Sequence, residues 1–184
     1  MGKTFLVDPE VFEVRALNQF ADATSGVVYI HSAPAALCPH VEWALAAALE
    51  SRAKLNWTAQ PAAPGLLRAT IDWIGPVGAA AKIANALRSW SMLRFEVTED
   101  PSEGVDGERF AFVPGLGLWR GSTSANGDVV LTENRLRTMM ALGMEGLAAE
   151  LDTALGTAWD EALEPFRSGG GVGAEVTWLR REVV

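Results

Sequence analysis

The sequence is poorest in the residues that bind metals and form covalent staples, with one cysteine and two histidines in 184 residues. A single cysteine excludes an internal disulfide, which agrees with a reducing compartment. Cations are also few, 15 Lys and Arg against 23 Asp and Glu, giving a formal net charge of −8 and a pI near 4.8. That balance argues against a nucleic-acid backbone as the main partner, because neutralising phosphates needs clustered Lys and Arg. The two tight basic clusters, Arg135 with Arg137 and Arg180 with Arg181, read as solvated faces. No apolar run approaches the ~18 charge-free residues of a membrane span. No basic N-terminal region leads into an apolar stretch and a small-residue cleavage site. The expectation is a cytoplasmic protein with neither a membrane nor a nucleic acid as partner.

What is there is ordinary for a globular chain, 49% apolar and 21% charged residues. At this length that suffices for one substantial domain, or two subdomains sharing a core. Both histidines and the cysteine fall in the stretch from Gly26 to Glu50, GVVYIHSAPAALCPHVEWALAAALE. Gly26 punctuates, and Val27 to Ile30 are β-branched or aromatic, which predicts a short buried strand ending near His31. Pro39 suits the first turn of a helix, where its missing N–H would have no intrahelical partner. Val41, Leu45, Ala48 and Leu49 then give that helix one apolar face. Cys38 stands at the helix entrance, where unpaired N–H groups and the helix dipole favour a thiolate if it is exposed.

The segments HSAPAALCPHVEWALAAAL, LNWTAQPAAPGLLRA, ANALRSWSMLRFEVTEDPS, TAWDEALEPFR and AEVTWLRR follow in this order. From about Asn18 to the C-terminus they resemble an uncharacterised actinobacterial family, domain of unknown function 3145. The resemblance implies a cytoplasmic protein of unknown activity, with no family catalytic or binding residue to carry over. Through the gene neighbourhood of some relatives it also implies an accessory role in fatty-acid synthesis.

Taken in order, residues 1–25 read as an N-terminal extension with apolar residues such as Phe5, Val11 and Phe20. Lys54 to Gln60 and Leu67 to Trp73 alternate with the period of half-buried strands, and Pro61, Pro64 and Gly65 turn the chain between them. Ala79 to Trp90 carries Ile83, Leu87 and Trp90 on one helical stripe, and Leu93 to Thr98 alternates again. Strand, helix, strand, strand, helix, strand over residues 26–100 is the split βαβ, or ferredoxin-like, arrangement. Leu55, Trp57, Leu67, Ile71, Trp73, Phe95 and Val97 should then form the core under the helices. Asn56, Arg68, Thr70, Asp72, Arg94 and Glu96 should lie on the other face, which meets water or is covered by the second half.

Residues 101–184 read as an α+β half packed on the first. Asn126–Gly127 predicts a hairpin with a type I′ turn. Thr132 or Asn134 can cap a helix bearing Leu136, Met139 and Met140. Gly143 and Gly146 interrupt the pattern that Leu147, Leu151 and Leu155 continue, and Gly156 stops it. Thr157 and Asp160 start a last helix carrying Trp159, Leu163 and Phe166, with Pro165 helping to end it. SGGGVGA is a Gly-rich link and not a phosphate loop, and Ala174 to Arg181 closes the chain as a strand.

Two readings of the opening stretch compete. His31, Cys38, His40 and Glu42 offer nitrogen, sulfur and carboxylate ligands suited to zinc, and His31 or His40 could act as base to Cys38 in a thiol enzyme. Against this, the histidines can be satisfied by ordinary partners and Cys38 can be a small buried hydrophobe. Of seven tryptophans, Trp43 fits the face of Val41 and Leu45 least and is a candidate for a pocket or interface. The favoured expectation is a non-catalytic, cofactor-free module that binds a small ligand or a protein. The rival is a metal- or thiol-dependent enzyme using His31, Cys38 and His40. An open sheet edge would also suit a homodimer.

Overall fold

The computed structural model describes residues 23–168. In chain order these form β1 (Ala23–Pro34), a 3-10 turn (Ala35–Leu37), α1 (Cys38–Leu49), β2 (Thr58–Ala59), β3 (Leu66–Pro76), α2 (Ala79–Leu87) and β4 (Arg94–Glu99). There follow β5 (Gly107–Val113), β6 (Gly117–Thr123), β7 (Val129–Val130), α3 (Glu133–Met140), α4 (Gly143–Leu155) and α5 (Thr157–Ser168). All seven strands make one antiparallel sheet in the order β2-β3-β1-β4-β5-β6-β7. The fold is α+β. The first four strands supply the β2-β3-β1-β4 part, with one helix inserted after β1 and one after β3, and the later strands lengthen the sheet beyond β4.

The central strand β1 is longer than its β-branched run suggests. Among the described residues it runs from Ala23 and passes through Gly26, where only a glycine fits: a Cβ there would lie 1.9 Å from the Thr98 carbonyl oxygen and 2.6 Å from the Trp73 ring. It also continues past His31, with a break in register between Ile30 and Ala33. On one face Val28, Ile30, Phe95, Val97, Ala69 and Trp73 meet Val41 and Leu45 of α1 and Ile83 and Leu87 of α2. Leu55 is buried there too, and Trp57 and Ile71 pack partly buried against the same cluster. Glu99 serves this face from within β4, its carboxylate accepting the Gly78 and Ala80 N–H groups at 2.7 and 2.9 Å at the start of α2.

The other face has its own smaller core. Ala111 and Val113 of β5 and Trp119 of β6 pack with Leu163 of α5, and Trp159, Ala162 and Val129 pack against them. The Trp159 indole donates to the Gly117 carbonyl at 2.9 Å, and the Trp119 indole donates to the Thr153 carbonyl at 3.0 Å. Thr70, Asp72 and Ile74 of β3 are exposed on this side.

Three turn and helix details depart from expectation. Among the described residues the second half holds two hairpins. The first turns at Val113 to Leu116, with the Leu116 N–H donating to the Val113 carbonyl at 3.1 Å and Gly115 at φ 87° after Pro114, the demand of a type II turn. At the second, the Gly127 N–H donates to the Ser124 carbonyl at 2.9 Å, and only Gly127 has positive φ. A type I′ turn needs positive φ at both central residues, so Asn126 excludes it; this is a three-residue turn closed by a left-handed glycine. Pro165 lies inside α5, which runs on to Ser168. The contacts of Phe166 and Arg167 described below hold that last turn against the lost backbone hydrogen bond. The predicted final strand, most of the Gly-rich link and residues 1–22 lie outside the described residues.

Candidate functional site: a buried ionic cluster

β4 alternates, so Phe95 and Val97 face α1 and α2 while Glu96 faces α5. Glu96 is 1% exposed. A lone buried carboxylate would cost several kcal/mol, and three neighbours offset that cost. His31 Nε2 lies 2.6 Å from one carboxylate oxygen, and Arg109 of β5 reaches the other with Nε at 3.0 Å and Nη2 at 2.6 Å. Arg167 of α5 donates from Nε at 2.9 Å and from Nη2 at 2.7 Å, and Nη2 also donates to Asp160 at 2.7 Å. Arg109 pairs with Asp160 as well. Arg167 Nη1 also lies 3.5 Å from the exposed Glu164 carboxylate, so the two guanidiniums are shared among Glu96, Asp160 and, at the rim, Glu164.

Burial pushes the Glu96 carboxyl up, but hydrogen bonds from His31 and Arg167 and the charges of His31 and Arg109 overcome it. The net result holds Glu96 well below the ordinary carboxylate range. For Arg167, burial acts against the cation and the Glu96 and Asp160 carboxylates more than reverse it, raising its pKa. The Arg109 guanidinium also lies over the Trp119 ring, 5.4 Å from its centroid. His31 stacks on Tyr29 with ring centroids 6.0 Å apart.

Gln60 extends the cluster to the sheet edge. Its Nε2 donates to the His31 carbonyl at 2.6 Å and the Phe166 carbonyl at 3.2 Å, and its Oε1 accepts from the Ala62 N–H at 3.0 Å. Arg94 crosses over the Phe166 ring at 4.5 Å. Apart from the Arg167–Asp160 pair within α5 and the Gln60–Ala62 bond within the turn after β2, these contacts join α5 to the sheet, strand to strand, or that turn to both. Chemically the cluster is a clasp: its carboxylates and guanidiniums neutralise one another.

The residues expected to form a metal or thiol site are dispersed. His31 belongs to the clasp. Cys38 is 7% exposed, with Sγ 3.7 Å from the Pro34 carbonyl. Burial, with Glu42 adding its charge, pushes the thiol up despite an opposing backbone hydrogen bond, the reverse of an activated thiolate. Glu42 accepts from the Leu55 N–H at 3.1 Å and the Trp57 indole at 3.0 Å, tying α1 to the segment before β2. His40 is exposed on α1, edge-on to Trp43 at 5.2 Å and 6.5 Å from Trp90. Among the described residues no group of three or more His, Cys, Asp or Glu is placed to hold a metal ion. None of the described helices is long and apolar enough to cross a membrane.

Arg109, Asp160, Arg167 and Gln60 were not anticipated. One signal was in the sequence: Asp160, Leu163 and Arg167 recur at helical spacing, so both charges share the buried stripe of α5. The family model described as "Protein of unknown function (DUF3145)" matches residues 27–181, most of the chain. No curated protein and no solved structure matches it.

Proposed function

We propose that this chain, which belongs to the DUF3145 family, is a non-catalytic cytoplasmic module that binds a protein partner, built on a ferredoxin-like first half. The strand order β2-β3-β1-β4, with α1 and α2 as the two crossovers, supports that architecture. Fold alone assigns no activity, so the reading rests on the side chains. One observation carries it: in the stretch holding both histidines and the cysteine, the buried groups are spent on internal contacts while His40 and Trp43 face outward. Trp43 is 67% exposed on α1, with the exposed His40 ring against its edge and Trp90 beside that. An exposed indole packed by neighbours is a typical anchor of protein interfaces. The lone cysteine, unpaired and buried, fits a reducing setting such as the cytoplasm.

The test is native mass spectrometry of the untagged full chain from its own host, without chelator or added metal. The reading expects a protein complex that Trp43→Ala weakens at least tenfold and Cys38→Ala leaves intact. A metal adduct lost in both His31→Ala and Cys38→Ala would overturn it and favour the enzyme.

A further inference from the structure

The pair α3 and α4 stands apart from both cores. It is anchored at its ends, where Met139 is buried and where Gly156 closes on the Trp119 ring, a Cβ there lying 2.8 Å from it. Between these anchors it leaves large apolar side chains in water. Leu136 and Met140, four residues apart on α3, are exposed, Met140 by 67%. Leu142 in the connection is exposed as well, and Met144, at 81%, begins a stripe on α4 with Leu147, Leu151 and Leu155. Exposed apolar groups gathered on one helix pair mark an interaction surface.

The charges on the same two helices indicate what covers it. α4 carries Glu145, Glu150 and Asp152 and no cation, whereas α3 carries Arg135 and Arg137 against Glu133. Arg137 already pairs with Glu133 across one turn, with Nε at 2.9 Å. Among the described residues Arg135, Glu145 and Glu150 have no ion-pair partner. With Arg137 and Glu133 neutralising each other, α3 offers the single cation Arg135 and α4 offers only anions, so a two-fold rotation that lays α3 along α4 of a second copy sets opposite charges beside the apolar residues twice over. We infer that the α3–α4 pair is the self-association surface of the protein, seating a second copy so that α3 of each chain lies along α4 of the other.

Sedimentation velocity of the full chain across the micromolar range tests this. A concentration-dependent monomer–dimer equilibrium is expected. Met140→Glu with Met144→Glu should weaken it at least tenfold, and these exposed positions allow folding, which circular dichroism checks. Arg135→Glu should weaken it severalfold at low salt, and adding Glu145→Arg to the same chain should restore it. Should the double methionine variant misfold, the charge-swap pair decides alone. A monomer at every concentration would overturn the inference. So would a dimer indifferent to these substitutions, as pairing along the part of β3 beyond its β2 partners would be, or a monomer whose α3–α4 surface is taken by a different protein.

Discussion

The two faces of the sheet are held by different physics. Under α1 and α2 the contacts are apolar: Val28, Ile30, Phe95 and Val97 meet Val41, Leu45, Ile83 and Leu87, and each contributes through area removed from water. Such packing is tolerant, because each side chain has many interchangeable neighbours. Under α5 a small apolar core is joined to Glu96, His31, Arg109, Arg167 and Asp160, which count one another. A buried ion cluster adds little net stability over a well-packed apolar substitute, but removing one member strands the others. The first face therefore supplies most of the stability, and the second fixes which helix sits there and in what register.

The sharpest break in this comparison is Glu96→Ala, which removes the fully buried carboxylate between the two guanidiniums and leaves them bridged by the half-buried Asp160 alone. It should cost about 3–5 kcal/mol in urea unfolding. Leu45→Ala, on the apolar face, should cost about 3 kcal/mol by lost transfer energy and a residual cavity. Glu42→Ala leaves the Leu55 N–H and the Trp57 indole without their acceptor, and should cost about 1–2 kcal/mol.

Acid sharpens the contrast further. Because the folded pKa of Glu96 is depressed, its contribution is fully present above the unfolded value and is lost as pH falls toward the folded one. Stability should fall below about pH 4.5, with this one group contributing a slope approaching ~1.4 kcal/mol per pH unit. Glu96→Gln starts less stable and should show a flatter acid limb in urea titrations at successive pH values. Smallest of all, Glu133→Ala removes an exposed ion pair and should change unfolding by no more than about 0.5 kcal/mol. An effect there as large as at Glu96 would abolish the distinction between clasp and surface.

The apolar face was legible in the sequence because alternation and helical spacing report directly on burial. Val41, Leu45, Ile83, Leu87, Phe95 and Val97 all fall where their periods put them. The polarity of the second face was equally visible, and Glu96 was assigned to it. What no period could reveal is that α5 descends on Glu96, since the partners Arg109 and Arg167 come from 13 and 71 residues away. In the opening stretch, closeness in the chain is not closeness in the fold. His31, Cys38 and His40 are close in the chain, but the strand sends His31 to one face of the sheet, and the helix after it buries Cys38 and turns His40 to solvent. Asn126–Gly127 marked a turn correctly but not its type, which depends on the backbone angle of Asn126.

Hydrogen exchange read by mass spectrometry on the wild type and on Glu96→Ala tests the clasp most directly. If the ionic cluster locks α5 to the sheet, the substitution removes protection across Thr157–Ser168 while Cys38–Leu49 retains most of its own. Unchanged protection of α5 would contradict the account, and would mean that Leu163 and Trp159 hold the helix without the charges beneath it.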